Sequence, residues 1–64
     1  MFVYFVSFQY SNAAMKEVSR MEVSVENKIS SINDIFAIEQ HISSHQFSGT
    51  MEVKILHFEQ MRKE

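Results

Sequence analysis

Apolar and polar positions alternate through three stretches of this chain and recur at helical spacing through a fourth. In Phe2 to Tyr10 the even positions, Phe2, Tyr4, Val6, Phe8 and Tyr10, are all apolar or aromatic. The odd positions begin apolar with Val3 and Phe5 and turn polar at Ser7 and Gln9. Successive side chains of a strand point to opposite faces. The pattern therefore predicts a strand with one face apolar throughout and the other apolar only in its first half. Aromatic and β-branched residues without glycine or proline favour strand over helix. Ser11 to Ala14 reads as a turn, and the lack of Asn-Gly or Asp-Gly predicts a loop of four or more residues.

Alternation resumes from Lys16 to Glu26, with Met21, Val23 and Val25 on one side and Arg20, Glu22, Ser24 and Glu26 on the other. That is a strand with one solvated face, suited to the edge of an antiparallel sheet. Val18 is out of phase with Met21, so a bulge near Ser19 and Arg20 is expected. Ser31 with Asp34 three residues on reads as a helix start with its capping acid. At 100° per residue, Ile32, Ile35, Phe36, Ile38 and Ile42 fall within an arc of roughly 160°, a core-facing stripe predicting a helix to about Ser44. Glu39 falls inside that arc and is expected to reach water at a rim. Gly49 marks the turn that follows, with Phe47 packed beneath it. Met51 to Phe58 reads as the third strand, with Met51, Val53 and Ile55 on one face and Leu56 and Phe58 on the other. The charged tail from Glu59 is expected to fray.

The order β-β-α-β predicts a single small α+β domain over residues 1–64. Its sheet should have the order 2-1-3, with the most apolar strand central and the helix packed on one face. The second and third strands then run parallel, joined by a right-handed crossover. In this arrangement Val3, Phe5, Leu56 and Phe58 meet at one end of the face without a helix. A contiguous exposed apolar patch marks an interaction site, so these four residues are the expected interface. The expected partner is a second copy, docked through that face or an edge.

Composition narrows the picture. A chain of 64 residues buries only about 60% of its unfolded surface, and the absence of cysteine removes disulfides and thiolate metal sites as extra stabilisation. Oligomerisation is the remaining route. Six Lys and Arg against eight Asp and Glu give net charge −2, which makes no case for nucleic acid. The opening run lacks a basic start and a cleavage site, and is too short to span a bilayer. No leader and no membrane association are expected, and a cytoplasmic setting agrees with the missing cysteines.

Candidate chemistry is sparse. His41 and His45 are four apart on the predicted helix, as zinc ligands would be, but no third ligand accompanies them and the wheel places both toward solvent. His57 falls by parity on the helix-covered face, where Glu39 also points. A Glu–His pair can do acid–base work, yet it needs a pocket that this chain has little room for. A core-edge histidine bonded to a carbonyl is the plainer reading. The aromatics of the first strand read as core, not as a base-stacking platform. No catalytic residue, cofactor or metal is expected, and the chain reads as a non-enzymatic interaction protein, with a nucleic-acid-associated dimeric regulator and a virion structural or assembly component as the alternatives.

The opening YFVSFQY, the helix start Ile29 to Ile35 and the closing EVKILHF resemble very small proteins carried by phages and prophages of Gram-positive bacteria. In that group a YFVSY-type strand, a short helix and a VxILNY-type strand span nearly the whole chain. Phe8 and the Leu56-His57-Phe58 ending depart from that pattern, and the first loop is shorter and lacks glycines. The resemblance implies a phage accessory protein made in the host cytoplasm, of the kind that binds and blocks a host defence protein. It assigns no site residues.

Overall fold

The computed structural model describes residues 1–64. Its elements are β1 (Phe2–Ser11), β2 (Lys16–Val25), α1 (Ile32–Phe47) and β3 (Glu52–Lys63), and the sheet order is β2-β1-β3. Both outer strands run antiparallel to β1, so β2 and β3 are parallel to each other. The most apolar strand is central, as its two-faced pattern requires. Asn12 shapes the β1–β2 turn: its side-chain oxygen accepts the N–H groups of Ala14 at 2.8 Å and Met15 at 3.0 Å.

The even face of β1 is the core. Tyr4, Val6 and Phe8 pack with Val23, Ile38, Ile42 and Val53. At one end of this face Phe47 stacks on Tyr10, their centroids 4.7 Å apart, with Phe8 edge-on to Phe47 at 6.5 Å. At the other end the Tyr4 hydroxyl accepts the Ile29 N–H at 2.9 Å, fixing the chain just before α1. With only eight residues buried, each core side chain carries a large share of the stability.

Helix α1 starts where a carboxylate can serve free N–H groups. Asp34 accepts the N–H of Ser30 at 2.9 Å and of Ser31 at 3.2 Å, and the Ser30 hydroxyl at 3.2 Å. The Ser30 backbone bond above all holds the Asp34 carboxyl below its ordinary value of 3.8. A carboxyl depressed in the folded state stabilises it above the unfolded value, and that contribution is lost as pH falls through the folded one. Asp34→Ala is therefore expected to lower the thermal midpoint by a few degrees at neutral pH. The difference from wild type should shrink as pH falls below 3.8, read by circular dichroism melts across pH. The helix ends on two residues with positive φ, Ser48 at 53° and Gly49 at 75°, and the Gly49 N–H closes onto the Ser43 carbonyl at 2.9 Å.

Two expectations are corrected. The β1–β2 register is continuous, with Gln9 opposite Val18 and Val6 opposite Met21, so β2 carries no bulge and Val18 is simply an exposed valine on the open face. The irregularities lie in β3 instead: the pairing skips Leu56 between Ser7–His57 and Phe8–Ile55, and Met61 between Val3–Arg62 and Tyr4–Gln60. The tail is not frayed, because Arg62 and Lys63 pair with Val3 and Phe2. Met1 and Glu64 close the end, with the Glu64 N–H on the Met1 carbonyl at 2.6 Å and the Met1 amine on the Glu64 carbonyl at 2.7 Å.

Candidate protein-interaction surface

The bulge at Leu56 moves His57 to Gln60 to the face opposite the one strict alternation gives, and the second skip at Met61 restores the phase for Arg62 and Lys63. Phe58 lies opposite Val6 on the helix side, where its ring meets Tyr4 edge-on at 6.0 Å. His57 lies opposite Ser7 on the open face, the reverse of the parity reading, and so is separated from Glu39. Of the four residues expected to meet on the open face, Val3 is 1% exposed, Phe5 is partly buried, Leu56 sits in the bulge and Phe58 faces the helix. They do not form one patch.

Val3 is covered in a way parity alone does not give. Arg62 stands beside it on β3, and Glu22 stands on β2 one row further along. The Arg62 guanidinium reaches Glu22 at 3.4 Å and Glu64 at 3.0 Å, so an ion pair spans β1 above the valine. The Glu64 bond, then the Glu22 charge, raise the Arg62 pKa further. The rest of the open face is mixed in sign. Lys16, Arg20, Lys54 and Arg62 all lie on it, but Glu22, Glu52 and Glu59 are interleaved in the same rows. Lys63 is on the other face, its ammonium 5.4 Å from the Phe2 ring centroid. No continuous basic stripe results.

Glu39, the residue that did not fit the helix wheel, has a definite task. Its carboxylate accepts the Ile55 N–H at 2.7 Å, and one turn on the Ser43 hydroxyl donates to the Met51 carbonyl at 2.7 Å. Both groups are partly buried and both serve backbone, one at the outer edge of β3 and one just before the strand begins. The helix leans over this edge, leaving an open groove of about 340 Å³ between α1 and β2, lined by Val23, Val25, Ile29, Ala37, Ile38 and His41. His41 and His45 are exposed, with rings stacked at 4.0 Å, and His45 Nδ1 lies 3.0 Å from the His41 carbonyl oxygen. That ring nitrogen is already engaged by backbone, which tells against the zinc-ligand reading of the pair.

The same side of α1 continues past Glu39 with different chemistry. At 3.6 residues per turn, Ile32, Phe36 and Ser43 all lie within about 60° of Glu39 around the helix. Ile32 is seven residues back, about 10 Å along the axis, or about three residues of β3, which brings it level with Phe58. A 16-residue helix is about 24 Å long and a 12-residue strand about 40 Å, so α1 cannot accompany β3 to its end. Beyond Ile55 no side chain hydrogen-bonds to the outer backbone of β3. Here large apolar residues stand in water: Ile32 is 63% exposed, and Phe36, Leu56 and Met61 are 51% each. A shallow recess of about 260 Å³ between Ile35, Ile55, Leu56, His57 and Phe58 joins the helix part of this surface to the strand part.

The sequence reading expected an apolar patch of Val3, Phe5, Leu56 and Phe58 on the open face, whereas the large apolar residues left half exposed or more along α1 and the second half of β3 are Ile32, Phe36, Leu56 and Met61. The residues it missed are Ile32, Phe36 and Met61. The wheel had assigned the first two to the core, because an apolar arc of 160° is wider than a helix over a sheet edge can bury. No helix is long and apolar enough to cross a membrane. The chain matches no family model, no curated protein and no solved structure, so its resemblance to phage-type small proteins gains no support from these comparisons.

Proposed function

We propose that this chain is a non-enzymatic protein-binding protein that works through the surface formed by α1 and the free half of β3. The observation that carries this reading is the coincidence of two unsatisfied features in one place. Ile32, Phe36, Leu56 and Met61 are half exposed or more, and the strand edge beside them has no side-chain partner. Half-exposed side chains of this size present on the order of 100 Å² each, which puts the patch at the scale where exposed apolar surface marks a binding site. A partner strand or helix would satisfy both the apolar area and the backbone groups.

In its narrower form the reading is a phage accessory protein that blocks a bacterial defence protein. That form rests on the resemblance of the first and last strands, and it directs the choice of cells. The test is affinity capture from a Gram-positive lysate at physiological salt with wild type, Phe36→Asp, and Val18→Asp as a control on the opposite face. Capture of one bacterial protein by wild type and by the control, lost with Phe36→Asp, is the expected result. Retention of the same protein by Phe36→Asp, or no specific capture at all, would overturn the assignment. A captured protein outside host defence would leave the binding surface standing and remove the narrower form.

A further inference from the structure

We infer that a second copy of this chain pairs with the outer edge of β2, the two β2 strands running antiparallel about a two-fold axis at Met21. The inference goes beyond the protein-binding reading and does not rest on it, because β2 and β3 are opposite edges of the sheet. The two edges differ. β3 is interrupted at Leu56 and Met61 and capped by Glu39, and such devices guard an edge against pairing. β2 runs ten residues with no skip and no proline, and no side chain hydrogen-bonds to its backbone. The helix does not obstruct it either, since α1 leans over β3 and an open groove separates it from β2.

The backbone leaves one set of groups for this contact. The Met1 carbonyl accepts the Glu64 N–H, and the Ile55 N–H turns away from Phe8 to Glu39. Odd residues of β1 therefore direct their N–H and C=O groups to β3, and even residues direct theirs to β2. Across the unbroken β1–β2 register, Ser19, Met21 and Val23 bond β1, while Val18, Arg20, Glu22 and Ser24 face outward. Residues directly opposite in an antiparallel pair share a face, so the axis of a β2–β2 contact passes between a residue and its own copy. Only two such registers pair nearly the whole strand, one with Arg20 on the axis and one with Met21.

Charge chooses between them. Arg20 on the axis meets its own copy, and like charges directly opposite are destabilising. Met21 on the axis puts Arg20 opposite Glu22 of the second copy on both sides of the seam. Val18 then lies opposite Ser24, and Lys16 stands level with Glu26 just past the strand end. Every charge on that face of β2 thus meets its opposite. Charges guard an edge when they repel a copy; these are ordered to accept one. Arg62 engages Oε1 of Glu22 at 3.4 Å, which leaves Oε2 for Arg20 of the second copy. On the helix side Met21 meets Met21, in the non-hydrogen-bonded pair whose side chains approach most closely. The α1–β3 surfaces of the two copies stay free at the two ends of the joined sheet.

Light scattering after size exclusion tests the assembly, and charge exchange tests its register. Wild type is expected at twice the chain mass. Arg20→Glu sets carboxylate against carboxylate on both sides of the axis, and Glu22→Arg sets guanidinium against guanidinium. Each alone should weaken the dimer at least tenfold. Both positions are exposed, so an unchanged circular dichroism spectrum should verify that both variants fold. Mixed in equal amounts, the two variants should associate again, because the mixed pair alone brings opposite charges together at both positions. Under mild oxidation Met21→Cys should cross-link and Arg20→Cys should not. A wild-type monomer at high concentration, single variants that dimerise undiminished, a mixture that stays monomeric, or cross-linking through Arg20→Cys in place of Met21→Cys would each overturn the inference. None of these results bears on capture through Phe36, so the protein-binding reading stands or falls separately.

Discussion

Ile42→Ala is expected to cost about 2–5 kcal/mol and to bring the protein to the edge of unfolding at room temperature. Ile42 is fully buried, one of seven residues in a core shared by β1, β2, α1 and β3. The whole stability of a domain this size is about 3–10 kcal/mol, and nothing covalent supplements it, since there is no cysteine. The loss has two parts, the transfer free energy of the removed methyl and methylene groups and the cavity they leave. A core so small has few neighbours able to move in and fill that cavity. In urea, where small proteins lose about 1 kcal/mol of stability per molar, the midpoint should fall by 2 M or more (about 2 M at the lower bound). Ile42→Val should cost only about 0.5–1.5 kcal/mol. Ile32→Ala, on the same helix but 63% exposed, should stay within about 0.5 kcal/mol of wild type. Equal losses at Ile32 and Ile42 would mean that the helix does not present the face described here.

That contrast between two isoleucines shows where the sequence was readable and where it was not. The even positions of β1 alternate without a break, and burial follows them: Tyr4, Val6 and Phe8 are all core. The strand order was legible for the same reason, because only the strand apolar on one whole face and half the other suits the centre. The helix start was legible in Ser31 and Asp34, whose spacing and chemistry leave little choice.

The faces of β3 were not legible. A phase slip in an alternating pattern has two physical causes, a bulge or an apolar residue left in water, and local sequence does not separate them. Val18 presented such a slip and is an exposed residue in a regular ladder. Ile55-Leu56 presented another and is a bulge, with no glycine to mark it. The choice is made across the ladder: with Leu56 skipped, Phe58 reaches Tyr4 and His57 the polar Ser7 row. Strict alternation would have put Leu56 in that polar row and Phe58 opposite Phe5 on the open face instead. The expected interface of Val3, Phe5, Leu56 and Phe58 dissolved with that single residue of slip. Glu39 was legible only as a misfit, since its partner is a backbone amide sixteen residues away.

Glu39→Ala is the second change with a large expected effect, and it acts on stability and on association at once. A hydrogen bond between a backbone N–H and an ionised carboxylate contributes about 1.5–3 kcal/mol. Here the acceptor is partly buried against the strand, so water replaces it poorly. A loss of about 1–3 kcal/mol in urea unfolding is expected, the lower end applying where solvent reaches Ile55. Glu39→Gln keeps an acceptor of nearly the same shape and should recover most of it. The Ile55 amide gives the more specific signal. Its hydrogen exchange should accelerate in Glu39→Ala relative to amides bonded within the β1–β3 ladder, whereas a general loss of stability would raise exchange across the whole sheet. The second effect concerns the edge itself. Glu39 caps the edge of β3 at Ile55, and without it the uncapped edge lengthens toward Glu52, along a strand that alternates apolar and polar residues. Unprotected edges of that kind template further pairing. Glu39→Ala should therefore form species larger than wild type in light scattering at equal concentration, and Glu39→Gln should not. An unchanged mass together with unchanged Ile55 exchange would remove Glu39 from both roles.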